Sequence, residues 1–371
     1  MRETPATVVI APDSFKGSAS AATAAQALSE GWRDVRSADR VILAPMADGG
    51  EGTLDAFATA VPGAERRTVR VLGPDGDDVR ANWLLLPDGT AVVELAETSG
   101  LGLMRQLRPS HAHTVGFGEA MRAALDAGAR SLLLAIGGSA STDGGAGMLQ
   151  ALGARLLDVS GAPVPTGNRG LASIASVDLS AMRALPPGGA RVLTDVTNPL
   201  LGPNGAAGVF APQKGASPTD VPVLEANLRR FAAAVAAAGS PADPRTQGAG
   251  AAGGAGFGLL VWGAQLVPGS SEVARVIGLP ALIGQADVVI TGEGRFDEQS
   301  AAGKVPDQVA ALAREAGATA LLAAGLITAA TSAFEGAVAL TDLAGGSAAA
   351  LAEPARWLRE AGAVLARAYS D

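Results

Sequence analysis

Cysteine is absent from the chain, which excludes disulfides, thiolate nucleophiles and cysteine-ligated metal sites. Histidine is almost absent too, because His111 and His113 are the only two. A zinc site or a Ser-His-Asp triad would have to use one of these imidazoles. The pair lies in a connecting segment, so we expect two surface histidines. The alternative is that both histidines lie in a strand, where residues two positions apart point to the same face.

Lysine is the next scarce residue, with three lysines against 25 arginines. Each of the three, Lys16, Lys214 and Lys304, adjoins a glycine. A lysine ammonium is a compact point charge that the planar arginine fork does not replace freely, and glycine allows the backbone to approach a ligand closely. We therefore predict phosphate binding at these positions. Three leftover surface lysines are the alternative interpretation.

Basic stripes are missing as well, and the net charge is −8, which argues against a nucleic-acid partner. A small phosphate is still acceptable, because backbone N–H groups and a few cations can bind it. Long uncharged apolar runs of about 18 residues are absent, and the nearest candidate, 249–268, is broken by glycines. The first residues lack a signal-peptide pattern. We expect a cytoplasmic protein with no membrane partner.

Short apolar runs alternate with helical patterns at both ends of the chain, which is typical of a parallel α/β sheet. The middle differs, because apolar runs separated by GPDG (73–76) and PDG (87–89) indicate antiparallel hairpins. The predicted fold class is α/β with two domains. Residues 1–66 and 284–371 would form a Rossmann-like parallel-sheet domain, and residues 67–283 a mixed α/β domain inserted in it.

Loops at the expected strand ends contain dense small, acidic and hydroxyl residues, and ligands of α/β sheets bind at such ends. One loop includes Asp13, Ser14 and Lys16, and another includes Asp48. A third, 137–145, is rich in glycine, and its backbone amides would suit an anion. For each loop alone, the alternative is tight-turn packing.

Two further strand ends carry charged residues. Asp195 follows a short apolar run, and the loop expected at 291–297 contains Glu293 and Arg295. Arg295 is placed to bind a carboxylate through two hydrogen bonds. The alternative is a solvated charge at a helix start.

Two known nucleotide-binding patterns have only incomplete or misplaced matches in this sequence. A GxGxxG match at Gly248, Gly250 and Gly253 follows SPADPRTQ and not a strand, so we interpret it as unrelated to dinucleotide binding. The Walker pattern fails around Lys304, because Glu298 stands where the first glycine belongs and Val305 where Ser or Thr belongs.

Five long segments together resemble the motifs of the bacterial-type glycerate kinases, in the family's order and over nearly the whole chain. They are APDSFKGSASAATAAQALSEGW, MADGGEGT, AIGGSASTDGGAGMLQALG, LTDVTNPLLGPNGAAGVFAPQKGA and VITGEGRFDEQSAAGKVPDQVA. The resemblance implies ATP-dependent phosphorylation of D-glycerate with Mg²⁺, generally to 2-phosphoglycerate, on two α/β domains with the active site in the cleft between them. This chain departs from the family in lacking an Asn before Asp143 and in carrying Phe296 where Ile or Leu is commoner.

Within that resemblance the roles of single residues are hypotheses, based on the positioning and charge neutralisation that phosphoryl transfer needs. Asp195 is the favoured proton acceptor and Asp48 the second choice, and either is a candidate Mg²⁺ ligand. The predicted catalytic set is Asp195, Lys16, Asp48 and Arg295. The predicted substrate-binding set is Asp13, Ser14, Lys16, Arg295 and Glu293. The predicted nucleotide-binding set is Gly137, Gly138, Ser139, Asp143, Gly144, Gly145, Lys214 and Lys304.

Three alternatives stay open at this point. The 3-hydroxyl of glycerate could be the phosphorylated group, which would give 3-phosphoglycerate. A sensor of sugar acids that has lost catalysis would keep the same loops, and an oxidoreductase would need the misplaced GxGxxG segment. The sequence leaves homo-oligomer formation undecided.

Overall fold

The structure, a computed structural model, describes residues 4–298 and 305–370, so Lys304 lies outside the described residues. The described strands, in chain order, are β1 Thr7–Ile10, β2 Arg40–Leu43, β3 Glu65–Leu72, β4 Asp78–Leu85, β5 Thr90–Glu94, β6 Ser131–Ala135, β7 Arg155–Leu157, β8 Ser176–Asp178, β9 Ala190–Leu193, β10 Gln265–Val267, β11 Val288–Phe296, β12 Thr319–Ile327 and β13 Gly336–Ala339.

The described helices alternate with these strands over much of the chain. They are α1 Ala21–Val35, α2 Thr53–Ala60, α3 Ala96–Ser99, α4 Val115–Asp126, α5 Ala146–Ala151, α6 Ala206–Phe210, α7 Asp220–Ala237, α8 Ala251–Trp262, α9 Gly269–Val276, α10 Leu279–Ile283, α11 Val305–Ala316, α12 Leu340–Ala344, α13 Ser347–Ala352 and α14 Pro354–Ser370. Single 3₁₀ turns occur at Leu101–Leu103, Asn168–Ser173 and Pro212–Lys214.

The first compact unit consists of residues 1–48, 55–62 and 270–371. Its sheet has the order β13-β12-β11-β1-β2, and every neighbouring pair is parallel. From β1 the chain adds β2 on one side and later β11 on the other. In such doubly wound sheets the point where the strand order reverses is the usual place for a ligand. Here that point lies between the carboxyl ends of β1 and β11.

Helix α1 shows why the ends of the chain belong to this unit. Ser20 caps its first turn by accepting the Thr23 N–H at 3.1 Å, and its buried face includes Leu28 and Trp32. The helix packs on α14, and Gly31 allows the close approach, because a Cβ there would lie 1.7 Å from the Arg359 carbonyl oxygen.

The second compact unit consists of residues 49–54 and 63–269. Its main sheet has the order β10-β9-β6-β5-β4-β3. The pairs from β10 to β5 are parallel, whereas β5, β4 and β3 form the antiparallel hairpins that the turn sequences predict. The fold class is thus mixed α/β, as predicted, with one parallel sheet, one mixed sheet and a small antiparallel pair of β7 and β8. The core of this unit packs α4, α5, α7 and α8 against the sheet.

The unit boundaries differ in detail from those expected at 66/67 and 283/284. Strand β3 begins at Glu65, and its cross-strand pairing to β4 places these first residues with the mixed sheet. Helices α9 and α10 group with the first unit from Ser270 onward. The division into folding domains itself stays a prediction. No helix among the described residues has both the length and the apolar content to cross a membrane.

Candidate active site

In the first unit, the predicted residues gather at the carboxyl ends of three adjacent strands. Asp13 and Lys16 follow β1, Asp48 follows β2, and Glu293 lies near the end of β11. The backbone N–H of Asp13 donates to the Gly292 carbonyl oxygen at 2.8 Å, which fixes this loop to β11. We call Asp13, Lys16, Asp48, Glu293 and Arg295 the switch-point residues.

Glycine makes the close packing of this loop possible. A Cβ at Gly294 would lie 3.2 Å from the Lys16 nitrogen and 3.3 Å from the Phe15 Cα atom. Phe15 is buried and anchors the loop from below. The side chains that flank it, Asp13 and Lys16, are therefore held on a fixed backbone rather than on a mobile turn.

The surroundings of Asp13 strongly perturb its carboxyl group. Burial raises its pKa to about 7, and the negative charge of Asp48 acts in the same direction. The Ser14 N–H, which donates to Asp13 Oδ1 at 2.6 Å, lowers the pKa, as does the charge of Lys16. Glu293 adds a smaller increase. Asp13 can therefore exchange a proton near neutral pH, which is the property a general base needs.

Lys16 is the exposed cation of this group. Its side chain is 82 % exposed, and its Nζ lies 3.8 Å from Asp48 Oδ2. Such an exposed pair contributes little stability. The ammonium is consequently available to an anionic ligand at little cost.

Arg295 lies on a strand and not on the predicted loop, because β11 continues to Phe296. In this extension β11 still pairs with β12, since Arg295 stands opposite Leu326. The glycine at position 292 permits this close pairing of β11 with β12, because a Cβ there would lie 2.0 Å from the Ala323 carbonyl oxygen. The guanidinium is exposed at the carboxyl end of the sheet, with its Nε 3.6 Å from Asp297 Oδ2.

In the second unit, the glycine-rich loop 137–145 connects β6 to α5, as predicted. Its interior is organised by Asp143, which is fully buried. Asp143 Oδ2 accepts the N–H and the hydroxyl of Thr114 and the N–H of Gly147, while Oδ1 accepts the N–H of Gly145. The carboxylate thus binds donors of its own loop and of the starts of α4 and α5, and we expect it to shape the loop rather than to contact a nucleotide.

Other amides of the loop are also used internally. Gly137 donates to Gly49, Ala140 to Ser99, and Gly144 to Gly253. The broad amide nest expected from the sequence is therefore narrower in the structure, and Gly138 forms its exposed rim with the buried Ser139 next to it. Gly138 is exposed and has a φ of 72°, which glycine accepts without strain.

Lys214 approaches this loop from the 3₁₀ turn Pro212–Lys214. Its Nζ donates to Ser139 Oγ at 2.7 Å and to the Ser141 carbonyl oxygen at 2.5 Å. The residue is 2 % exposed. Burial lowers the pKa of the ammonium to about 7, and the charge of Asp143 partly opposes this shift.

Gly49 and Gly50 belong to the second unit and pack closely within it. A Cβ at Gly137 would lie 2.5 Å from Gly50 Cα, and one at Gly49 would lie 2.5 Å from Leu193 Cβ. Glu94, a buried carboxylate that sequence reasoning missed, accepts the N–H groups of Gly52 and Leu54. The only sequence signal for it is an acid at the end of an otherwise apolar strand.

Asp195 follows β9 at the carboxyl end of the mixed sheet. Its side chain is exposed, and Oδ1 accepts the Gly269 N–H at 2.8 Å. It belongs to the second unit, whereas Asp13 and Asp48 belong to the first.

The glycine-rich segment around Gly253 also contacts the loop, although it is no dinucleotide fingerprint: the strand before it, β9, ends far upstream at Leu193. Residues 252–254 all have positive φ. Among the described residues Ala252, at 55°, is the one non-glycine with positive φ. A Cβ at Gly253 would lie 2.0 Å from the Ser141 carbonyl oxygen.

The two histidines differ from the expected surface pair. His111 is exposed, but His113 is buried, and burial lowers its pKa. It directly precedes Thr114 and packs beneath the loop that Asp143 organises, so a local sequence reading could not place it. No group of three or more histidine and acidic side chains in the described part of the chain could hold a metal ion by itself.

The relationship of this chain to known proteins decides how these residues are interpreted. The model of the Glycerate kinase family matches residues 8–370. The chain belongs to the glycerate kinase family. A glycerate kinase of Bacillus subtilis strain 168 is 45 % identical over 312 residues, which cover 83 % of this chain and 81 % of the relative.

Two further comparisons point to the same family. The glycerate 2-kinase of Escherichia coli K12 is 43 % identical over 313 residues, which cover 83 % of this chain and 82 % of that protein. A crystal structure of a Salmonella typhimurium LT2 protein assigned as glycerate kinase 2 superposes with a TM-score of 0.87, at 38 % identity, covering 99 % of each chain. Membership of the glycerate kinase family makes this protein a kinase and confirms the resemblance stated from the motifs.

Proposed function

We propose that this glycerate kinase transfers the γ-phosphoryl group of ATP to the 2-hydroxyl of D-glycerate. The observation that carries the proposal is the placement of Asp13, with a pKa of about 7, beside the exposed ammonium of Lys16 at the switch point of the parallel sheet. A proton acceptor next to a cation is what phosphorylation of a hydroxy acid requires.

Asp13 is the proposed proton acceptor. The glycerate hydroxyl gives its proton to the Asp13 carboxylate, its oxygen forms a bond to the γ-phosphorus, and the bond to the bridging β–γ oxygen breaks, so that ADP leaves. A pKa near the working pH makes the acceptor available as carboxylate without making it too weak a base. This choice differs from the sequence-based preference for Asp195, which remains the alternative.

Lys16 and Arg295 are the proposed contacts of the glycerate carboxylate and of the transferring phosphoryl oxygens. Both side chains are largely exposed at the carboxyl edge of one sheet, at 82 % and 64 %. Each cation has an acidic neighbour: Asp48 Oδ2 lies 3.8 Å from Lys16 Nζ, and Asp297 Oδ2 lies 3.6 Å from Arg295 Nε. Positive groups fixed where negative charge develops lower the barrier because they need no reorganisation during the reaction.

The phosphate chain of the nucleotide is proposed to bind at the rim of loop 137–145. Gly138 leaves this rim open, and the Ser139 hydroxyl, held by Lys214, stands beside it. Asp143 accepts the amides of Gly145 in the loop and of Gly147 in α5, and these bonds keep the shape of the loop. The predicted contribution of Lys304 lies outside the described residues.

Magnesium would be carried mainly by the nucleotide. Mg²⁺ in kinases is bound by one or two carboxylates together with phosphate oxygens and water, so the absence of a three-residue metal group in the described chain is compatible with it. Asp48, a half-exposed carboxylate, fits as a single oxygen ligand, with Asp195 as the second candidate. When bound, the ion would neutralise charge on the phosphates.

A coupled ADP-release assay with D-glycerate, ATP and Mg²⁺ tests this function, followed by separation of the 2- and 3-phosphoglycerate products. We expect ADP release that depends on glycerate and yields the 2-isomer, as the name of the Escherichia coli relative suggests. A 3-isomer product would move the reacting hydroxyl. Binding of glycerate without ADP release would instead favour a sensor, and binding of NAD(P)H would favour an oxidoreductase.

A further inference from the structure

Lys214 has no room to act as a contact for the nucleotide. It is 2 % exposed, yet it carries a charge that water would normally solvate. Two of its three N–H groups are directed to Ser139 Oγ and to the Ser141 carbonyl oxygen, at 2.7 and 2.5 Å. Both acceptors belong to loop 137–145. The ammonium is thus used inside the protein.

The opposite side of the ammonium is closed by the glycine-rich segment. A Cβ at Gly253 would lie 2.8 Å from Lys214 Nζ, so only glycine fits between the helix and the lysine. Gly253 in turn accepts the Gly144 N–H at 3.1 Å. The left-handed backbone of residues 252–254 therefore packs the lysine against the loop.

From this geometry we infer that Lys214 is a positioning residue: it fixes Ser139 and Ser141 so that the rim of loop 137–145 can bind the phosphates of ATP, and it does not bind them itself. The inference rests on the proposed function, because it takes the loop to be the nucleotide site. It replaces the direct phosphate contact that the sequence predicted for this lysine.

The same geometry makes the loop sensitive to pH. The Lys214 pKa of about 7 lets the ammonium lose its proton just above neutral pH, with Asp143 as the charged group that opposes the loss. A hydrogen bond from a neutral amine is weaker than one from an ammonium. The affinity for ATP should therefore fall as the pH rises through the Lys214 pKa, beyond any change caused by the nucleotide's own titration.

The test compares four variants: Lys214→Met, Ser139→Ala, the double variant, and Val235→Ala. Val235 is buried in α7 and serves as a control for lost stability, because its truncation leaves the loop bonds intact. Calorimetry gives the Kd for ATP across the neutral range, and the coupled assay gives kcat and the KM for glycerate. Thermal unfolding records stability for all variants.

We expect Lys214→Met to weaken ATP binding about 10-fold, the size typical of a lost charge-assisted hydrogen bond, and to leave the KM for glycerate within about 2-fold. The pH dependence of the Kd for ATP should flatten. The double variant should be no worse than the more affected of the two single variants, because Lys214 acts through Ser139. Val235→Ala should lose stability without changing either constant.

An unchanged Kd for ATP in Lys214→Met would overturn the inference. Multiplying effects of Lys214→Met and Ser139→Ala would also overturn it, since they would mean that the lysine binds the phosphates independently. If Lys214→Met does not fold, Ser139→Ala decides, and an unaltered pH dependence there contradicts the inference. Wild-type protein that binds ATP but does not phosphorylate glycerate would refute only the proposed function. Wild-type protein that does not bind ATP would refute both.

Discussion

The carboxylate of Asp143 accepts both the backbone N–H and the hydroxyl of Thr114, each at 2.9 Å. The Thr114 hydroxyl oxygen also accepts the Met148 N–H at 2.9 Å. This chain of bonds connects the start of α4, loop 137–145 and the first turn of α5. These bonds supply the donors that the fully buried carboxyl oxygens of Asp143 need.

Asp143→Asn is therefore expected to destabilise the protein strongly. The amide nitrogen cannot accept the bonds of Thr114 or Gly147, so at least one buried donor loses its partner. The free energy of unfolding should fall by about 3 kcal/mol, as measured by urea denaturation. Asp158→Asn is the matched control: Asp158 accepts the Ser160 and Ala162 N–H groups, but on the exposed surface. If both variants lost equally little stability, Asp143 would not organise the loop.

Asp13 is expected to set the pH dependence of turnover. Its carboxyl must be deprotonated to accept a proton, so kcat/KM should rise as the pH rises through about 7. Lys16→Met removes a charge that lowers this pKa and should move the midpoint upward. Glu293→Gln removes a charge that raises it and should move the midpoint downward. Midpoints that shift in the same direction in both variants would exclude Asp13 as the titrating group.

The raised pKa of Asp13 also predicts that stability falls as the pH rises, in the direction opposite to kcat/KM. Because the folded-state pKa of Asp13 is raised above its ordinary 3.8, the folded protein holds a proton that the unfolded chain has released. The contribution of Asp13 to the free energy of unfolding should therefore decrease as the pH rises from about 4 to about 7. Urea denaturation of wild type and Asp13→Asn over this range measures it, and the difference between them should change with pH. A constant difference would contradict the raised pKa.

Asp13→Asn and Asp195→Asn separate the two candidate proton acceptors. We expect Asp13→Asn to lower kcat at least 100-fold, the lower end of what a general base contributes. Asp195→Asn should retain more activity, because Asp195 is exposed and its Oδ1 accepts the Gly269 N–H. Pre-steady-state turnover of both variants, with melting temperatures as the folding control, provides the comparison. The reverse ranking would return the base role to Asp195.

The lowered pKa of Lys214 predicts that the free energy of unfolding depends on pH above neutrality. Its folded-state pKa is lowered from 10.5 to about 7, so between these values the unfolded chain binds the proton that the folded protein has lost. The free energy of unfolding should accordingly increase with pH over this interval. Denaturation of Lys214→Met at the same pH values should lack this increase. An identical slope in both proteins would show that Lys214 titrates normally.

Local patterns in the sequence predicted the elements but not the burial of single polar residues. The hairpins of β3 to β5 follow from short-range chemistry, namely the glycine turns that separate the strands. The parallel sheet built from both chain ends follows from the alternation of strands and helices. The positions of Asp13, Lys16 and Asp48 at strand ends were predictable for the same reason.

What the sequence could not predict depends on contacts far apart in the chain. Lys214 and Ser139 are 75 positions apart, so the burial of the lysine is invisible to any local pattern. Ala252 has a left-handed conformation, with a φ of 55°, which contradicts the preference of alanine itself. The burial of His113 and the extension of β11 to Arg295 likewise result from tertiary packing and strand pairing.

The contact between α1 and α14 has a consequence for biosynthesis. The carbonyl oxygens of Leu28 and Arg359 lie so close to the opposite helix that only Gly362 and Gly31 fit there, and α14 ends at Ser370. Helix α1 must therefore wait for its partner until α14 has been synthesised. At roughly 5–20 residues per second, that delay is on the order of tens of seconds. The mixed-sheet unit, complete at Gly269, leaves the ribosome earlier and is free to fold while the first helix is still waiting.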